Sequence, residues 1–323
     1  YIICDFWLNV MCCSSLEVSI VMSPYKSSFF TTEVIKKGTF PMKLIAYKQG
    51  KESPSSGSTN IGVLLGNLVA PVATLEDFYA DVPRWTEFAR HQKSGTLSLN
   101  EIQNAIPVPL TAKVICAAIN YVEHGKEGGL PTPSFPNLFA RWTSTLSTSG
   151  TPVKVPNTEP DGIDWEVELG VIIGKKMNDA TEQNALDGVL GYTTFNDISG
   201  RASQIQSMTL STGQWAIGKN LDNSGAIGSV IASADSVDVK NLRITAKVND
   251  EFMQDGTTAD MIFSVPKLIE FISQSITLNP GDLIVTGTPA GVGFGRKPRV
   301  YAKKGDVMEV EVHGICAVRS PII

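Results

Sequence analysis

Histidine and cysteine are scarce in this sequence. The chain has 323 residues but only 3 histidines and 5 cysteines, and their spacing does not match that of a zinc site. The cysteine count is odd, and the positions do not form a disulfide framework. We therefore expect reduced thiols and an intracellular protein, located in the cytoplasm, with a mitochondrial location left open.

An excess of positive charge and long apolar runs are also absent. The 27 lysines and arginines are outnumbered by 32 acidic residues, and no long basic tract occurs, so a nucleic-acid partner is not favoured. The apolar start of the chain is interrupted by Asp5 and Glu17 and lacks basic residues at its beginning. This pattern is typical of neither a membrane-spanning helix nor a signal peptide. We expect no membrane partner, and we treat residues 1–41 as an N-terminal extension of unknown role.

From Met42 onward, the chain shows the short periodic segments of a folded protein. Residues 42–109 are predicted to form a small N-terminal domain, with a strand at MKLIAYKQG, a strand pair in IGVLLGNLVAPV and one helix over residues 75–95. Residues 110–323 are predicted to form a second domain of short strands, with a turn at Asn249-Asp250 and a helix that begins near Val265-Pro266. These features indicate an α+β protein dominated by antiparallel or mixed strands.

The segment DWEVELGVIIG, residues 164–174, places charge inside an otherwise apolar strand. Because successive side chains of a strand point to opposite faces, Asp164, Glu166 and Glu168 share one face and the apolar residues share the other. The acids have three interpretations: a solvated sheet face, charges that protect an edge strand, or part of a site for Mg²⁺, Mn²⁺ or Ca²⁺. The strand alone does not decide among them.

A further acid lies in GYTTFNDISGRASQ, residues 191–204. Asp197 follows a predicted strand, where an aspartate is often a turn or helix-cap residue. As a metal ligand it would instead complete a set of three carboxylates.

Two glycine-rich segments have different interpretations. GQWAIGKN, residues 213–220, resembles a phosphate-binding loop, but Asn220 stands where that loop needs serine or threonine. We therefore reject nucleotide binding and interpret Lys219 as a lone cation. In TGTPAGVGFGRKP, residues 286–298, the glycines either form a simple loop or allow the backbone and Thr288 to approach a ligand.

Taken in order, six segments resemble the fumarylacetoacetate hydrolase family. They are INYVEHGKE (119–127), DWEVELGVIIG (164–174), GYTTFNDISGRASQ (191–204), GQWAIGKNLDN (213–223), MQDGTTADMIF (253–263) and TGTPAGVG (286–293). The resemblance covers roughly residues 110–323, and the region after Met42 resembles the small N-terminal region of many members. It implies a mixed β-sheet roll and a homodimer.

The resemblance also implies roles for individual residues. It assigns metal ligation to Glu166, Glu168 and Asp197, catalysis to His124, Glu127 and Lys219, and substrate binding to Arg141, Gln204 and Thr288. Arg141 stands where many members have lysine, which suggests altered recognition of a substrate carboxylate. Two further departures are Ala202, in place of a common acidic residue, and Cys316, in place of a common glycine.

The function implied is a metal-dependent hydrolase that cleaves a C–C bond in an acylpyruvate or other 1,3-dicarbonyl acid. Mg²⁺ is the expected cofactor, with Mn²⁺ or Ca²⁺ as alternatives, and the substrate is a small 2-oxo or diketo acid. The same site would also suit an oxaloacetate-type decarboxylase or a keto–enol tautomerase or isomerase. A catalytically silent binding protein on the same scaffold is a more remote alternative.

Overall fold

The structure, a computed structural model, describes residues 41–50, 57–129, 131–206 and 213–323. The described chain is rich in short strands, whose alternating burial is typical of sheets with a packed face. The strands, in chain order, are β1 Lys43–Gln49, β2 Asn60–Leu65, β3 Leu68–Thr74, β4 Leu97–Ser98, β5 Ile102–Asn104, β6 Val114–Ala118, β7 Asn137–Arg141, β8 Leu146–Thr148, β9 Val167–Ile173, β10 Val189–Asp197, β11 Gly225–Ile227, β12 Val230–Ser233, β13 Arg243–Val248, β14 Glu251–Thr257, β15 Leu283–Val285, β16 Val307–Val312 and β17 Cys316–Pro321.

The helices are short. The α-helices are α1 Leu75–Ala80, α2 Val82–Arg90, α3 Val122–Glu127, α4 Arg201–Gln206, α5 Trp215–Gly218 and α6 Val265–Ser273. Short 3₁₀ turns span Leu99–Glu101, Thr143–Thr145, Ala185–Gly188, Thr258–Asp260 and Gly293–Gly295. Of the helices that the structure describes, none has the length and apolar character that crossing a membrane requires.

The prediction of one helix over residues 75–95 is wrong, because the segment forms two helices. Asp81 leaves the helical region with φ −147° and ψ 68°, and its side chain accepts a hydrogen bond from the backbone N–H of Arg84. Pro83 occupies the first turn of α2, where a missing N–H costs nothing. By contrast, α6 begins at Val265, as predicted, and Ser264 caps it.

The strands form a large mixed sheet and a smaller antiparallel one. The large sheet has the order β4-β3-β2-β1-β12-β10-β9-β15-β6-β7, with β5, β8 and β11 attached beside this path. Its pairs β15–β6 and β11–β8 are parallel, and the other pairs are antiparallel. The smaller sheet has the order β14-β13-β16-β17. Its first hairpin turns at Asn249 and Asp250, which have φ of 51° and 68°, as predicted for this dipeptide. The α+β mixed-sheet fold is thus confirmed.

The large sheet is continuous across the predicted domain boundary near residue 109, since β1 pairs with β12. The division into 42–109 and 110–323 stays a prediction. The predicted extension, residues 1–41, lies outside the described residues apart from Pro41.

The main core lies where β9 and β10 pack against the smaller sheet. The apolar face of β9, with Val167, Leu169, Val171 and Ile173 after Trp165, is fully buried in this core, as the alternation predicts. The opposite face carries Glu168 into the interior of the protein. This arrangement places acids and core on opposite sides of one strand.

Candidate metal centre and active site

Three carboxylates meet where β9 runs beside β10. Glu168 lies opposite Phe195 in the register, and the N–H of Asp197 donates to the carbonyl of Glu166 at 2.9 Å. Opposed residues of an antiparallel pair project to the same face, so the acids of both strands are brought together. Glu166, Glu168 and Asp197 are 5%, 2% and 1% exposed, and their oxygens lie within 4.8 Å of one another. The interpretations of a solvated face, an edge guard and a simple turn residue are wrong for these acids.

The loop after β15 supplies a hydrogen bond to this group. Val285 pairs with Gly170, so the chain continues past Glu168, and the N–H of Gly287 donates to the Glu168 carboxylate. Gly287 has φ +93°, and a Cβ there would lie 2.8 Å from the Cβ of Asn120. Both the positive φ and the close approach to Asn120 require glycine at position 287.

The charges around the three acids are unequal. Burial raises the pKa of Glu168 well above its usual range, and the neighbouring Asp197 and Glu166 raise it further. Burial also works to raise the pKa of Glu166, but the charges of Lys219 and Arg201 outweigh it and lower that pKa. The Lys219 ammonium lies 2.7 Å from both Glu166 Oε2 and Asp197 Oδ2. Glu166 and Asp197 are thus paired with a cation, whereas Glu168 is the acid whose charge is not compensated.

The donor set fits a divalent cation. Buried carboxylate oxygens are the ligands that Mg²⁺ and Mn²⁺ prefer, and an ion held by Glu166, Glu168 and Asp197 would offset the charge that burial makes costly on Glu168. The three residues that the sequence assigns to metal binding are therefore together in the structure.

The predicted His124–Glu127 pair lies on α3, at one side of the same cavity. His124 Nδ1 and Glu127 Oε2 are 3.7 Å apart, which is longer than a hydrogen bond. Both oxygens of Glu127 instead accept from the N–H of Gly291, at 2.8 and 3.0 Å. His124 Nδ1 is buried and has no hydrogen-bond partner among the described residues. Glu127 therefore fastens α3 to the glycine-rich loop, and the imidazole keeps a nitrogen for a ligand.

A cavity of about 160 Å³ joins α3 to the three acids. Its polar wall holds the acids, His124, Lys219, Arg201, Gln204 and Thr288, and its apolar wall is formed by Ala117, Ala118, Ile119, Phe139, Ile205, Trp215, Val292 and Phe294. Sequence reasoning missed the aromatic wall. Trp215 lies in the segment 213–223 that resembles the family, and Phe139 lies two residues before Arg141, but their ring contact, with centroids 5.0 Å apart, joins β7 to α5.

The predicted substrate-binding residues are placed differently from one another. Gln204 lines the cavity, and its Oε1 accepts from Arg201 at 2.9 Å. Thr288 also lines the cavity, while its hydroxyl donates to the carbonyl of Val167 at 2.9 Å. Arg201, in the same segment beyond Asp197 as Gln204, also lines the cavity.

Arg141 requires a correction. Its guanidinium donates to the Asp197 carboxylate, to Ser224 Oγ at 2.9 Å and to the carbonyl of Ile198 at 2.7 Å. The side chain is buried and is not part of the cavity wall. The prediction that it holds a substrate carboxylate is wrong, because its donors are directed at Asp197 and the backbone behind it.

The fold and the site allow comparison with known proteins. The profile of the family described as "Fumarylacetoacetate (FAA) hydrolase C-terminal" matches residues 113–323. The chain belongs to the fumarylacetoacetate hydrolase family. This match begins close to the residue at which the resemblance in the sequence starts.

Relatives with named activities extend the comparison. The mitochondrial oxaloacetate tautomerase FAHD2A of Homo sapiens is 33% identical over 87% of this chain and 92% of its own length. The 2,4-didehydro-3-deoxy-L-rhamnonate hydrolase of Sphingomonas is 40% identical over 69% of this chain and 77% of its own length. Among solved structures, fumarylpyruvate hydrolase from Pseudomonas aeruginosa in complex with Mn²⁺ and pyruvate superposes with a TM-score of 0.60, 26% identity, and coverage of 67% of this chain and 91% of that one. The chain is therefore similar to enzymes, one of which binds a divalent metal.

Proposed function

We propose that this protein is a divalent-metal-dependent tautomerase that interconverts the keto and enol forms of oxaloacetate or a similar small 2-oxo acid. The observation that carries the proposal is the meeting, in one small cavity, of three buried carboxylates with a histidine whose Nδ1 has no partner among the described residues. The human relative that matches over 92% of its own length is named for this activity.

The residues of the chain divide the chemistry among them. A divalent ion, when bound by Glu166, Glu168 and Asp197, supplies a Lewis acid that polarises the keto oxygen and offsets the negative charge of the enolate. His124 Nδ1 takes a proton from the carbon next to the keto group and delivers it to the oxygen. The ammonium of Lys219 lies beside the acids, where the oxygen becomes negative. The reaction moves one proton and needs neither water nor a leaving group.

Cleavage of a C–C bond, which the sequence favours, is the second candidate. The aromatic and aliphatic wall around Phe139, Trp215 and Phe294 suits the apolar acyl chain of an acylpyruvate, and the Sphingomonas relative is named as a hydrolase. Hydrolysis, however, also needs a group that activates water and one that protonates the leaving carbon. Decarboxylation has no supporting observation of its own in the cavity.

The test follows the enol absorbance after enol-oxaloacetate is mixed with the purified protein, with Mg²⁺ or with a chelator. Pyruvate release is measured in parallel, and a panel of acylpyruvates is assayed for cleavage. We expect fast, Mg²⁺-dependent loss of the enol without pyruvate, and expect Glu168→Gln to lose it. Release of pyruvate from oxaloacetate, or efficient cleavage of acylpyruvates with unaccelerated tautomerisation, would replace the proposal with one of its alternatives.

The compartment is part of the proposal. The human relative is named as a mitochondrial protein, and we propose mitochondria for this chain in place of the cytoplasm. Fractionation of cells with an antibody against the protein tests this, and recovery in the cytosolic fraction alone would contradict it.

A further inference from the structure

The helix α4 is held at its start by a carboxylate from a distant part of the chain. The backbone N–H groups of Ala202 and Ser203 donate to the two oxygens of Glu159, at 2.8 and 2.9 Å. Glu159 is 1% exposed. A Cβ at Gly200 would lie 2.7 Å from Glu159 Oε1, so this contact also requires glycine immediately before the helix.

The same helix carries two polar side chains into the cavity. Arg201 donates to Asp164 Oδ2 at 2.7 Å, to Glu166 Oε1 at 2.5 Å and to Gln204 Oε1 at 2.9 Å. Because the amide oxygen of Gln204 accepts this bond, its NH₂ is the half that can donate to a ligand. The position of α4 therefore decides where a guanidinium and an amide donor stand beside the three acids.

A carboxylate at the start of a helix satisfies N–H groups that the helix itself leaves unbonded. The N-cap residue usually supplies such an oxygen, but the residue before α4 is Gly200, and Ala202 in the first turn offers no oxygen either. Glu159 supplies it from outside, and burial makes the bond strong because water does not compete for it.

We propose that Glu159 is a positioning residue that fixes α4 so that Arg201 and Gln204 bind the carboxylate of a 2-oxo acid. This inference rests on the proposed function for the identity of the ligand. Glu159 touches neither the metal ligands nor the substrate. It reaches the metal site only through the bond from Arg201 to Glu166, so its effect on substrate affinity is the larger one.

The test uses binding as well as turnover. Oxalate, which resembles the enolate of a 2-oxo acid, is titrated into the Mn²⁺-loaded protein by calorimetry, and Mn²⁺ is titrated separately. Glu159→Gln keeps the shape but places an NH₂ against a backbone N–H. Loss of one charged hydrogen bond predicts oxalate affinity and KM for oxaloacetate each weakened roughly tenfold, with kcat little changed and Mn²⁺ affinity weakened less than oxalate affinity.

Two further variants sharpen the result. Asp161→Asn removes the same charge from the same loop at an exposed position, and we expect no change in oxalate affinity. Ala202→Asp, added to Glu159→Ala, returns an acid to the first turn of α4, and we expect it to restore most of the lost affinity. If Glu159→Ala does not fold, the isosteric Glu159→Gln carries the test.

The inference is overturned if a folded Glu159→Gln binds oxalate like the parent, if Mn²⁺ affinity falls at least as far as oxalate affinity, or if Ala202→Asp restores stability but not binding. A parent that binds oxalate but does not tautomerise oxaloacetate defeats the proposed function alone. A parent that binds neither ligand defeats both.

Discussion

The environment of Glu168 could be predicted from the sequence only in part. The sequence predicts that Glu168 shares a face with Glu166, because alternation along a strand is a local property. It does not reveal that Glu168 is buried beside two other acids, since that depends on the register of β9 with β10. The same limit explains Arg141, whose partners Ser224 and Ile198 come from distant positions.

Metal affinity should depend on pH through Glu168. Burial and the nearby acids raise its pKa, so its neutral form persists to a higher pH than that of an ordinary glutamate. A cation binds the ionised form, so Mn²⁺ affinity should rise with pH until that raised pKa is passed, and binding below that pKa should release a proton. Calorimetry in buffers of different ionisation enthalpy measures the released proton. A pH-independent affinity with no proton release would contradict the raised pKa of Glu168 in the metal-free protein.

The corrected role of Arg141 gives a second residue-scale prediction. Arg141→Lys keeps a positive charge but cannot reach Asp197, Ser224 and Ile198 together, so Asp197 should be less well oriented. We expect Mn²⁺ affinity to fall about 10–100-fold, the usual effect of removing a group that orients a metal ligand. The KM for oxaloacetate at saturating Mn²⁺ should change little. The opposite pattern, a raised KM with parental Mn²⁺ affinity, would support the original prediction that Arg141 binds the substrate.

At the scale of elements, local signals succeed where capping or turn residues dominate. The start of α6 and the Asn249-Asp250 turn follow from Ser264, Pro266 and two residues that tolerate positive φ. The break between α1 and α2 has a signal too, since Asp81 precedes Val82-Pro83 as a cap precedes a helix start. The apolar spacing of a helix continues across Asp81, and for that reason the segment was predicted as one helix.

We expect α3 to become more mobile when the hydrogen bonds between Glu127 and Gly291 are removed. Glu127→Ala removes both hydrogen bonds to the N–H of Gly291, so hydrogen exchange at Gly291 and in α3 should accelerate. Glu123→Ala, an exposed acid on the same helix, is the matched control and should leave exchange at Gly291 unchanged. Unchanged exchange in Glu127→Ala would mean that other contacts hold α3.

Removal of the imidazole on the same helix tests the proton transfer. His124→Ala should lower kcat for tautomerisation by about 10²–10⁴-fold, the usual contribution of a general acid–base group. Mn²⁺ affinity should be preserved, since His124 is not one of the three clustered acids. A variant with parental kcat would remove His124 from the mechanism.

At the scale of the whole molecule, the sequence predicts the fold class but not the sheet order. Parallel pairing of β15 with β6 joins segments far apart in the chain, and no local pattern specifies it. The resemblance of six ordered segments to the family predicted the fold class, because it brings with it the fold known for that family. The six segments do not include Glu159, whose proposed role follows only from the position of α4 in the structure.

The homodimer implied by the resemblance stays a proposal, and one surface suits it. Leu110, Trp142 and Ile217 are 76%, 57% and 51% exposed near β7, which ends the order of the described large sheet. Exposed apolar groups beside a sheet edge are typical of an interface. Light scattering at micromolar concentration should give twice the mass of 34.7 kDa, and Trp142→Ala should weaken the dimer. A monomer at that concentration would contradict the proposal.

In the proposed function, Glu166, Glu168 and Asp197 hold one divalent ion on which 2-oxo acid chemistry depends. A crystal grown with Mn²⁺ and oxalate, with data collected at the manganese edge, tests it most directly. We expect one anomalous peak at about 2.0–2.3 Å from an oxygen of each acid, with oxalate completing the coordination. A peak elsewhere, or no peak with the Lys219 ammonium still bridging Glu166 and Asp197, would contradict it.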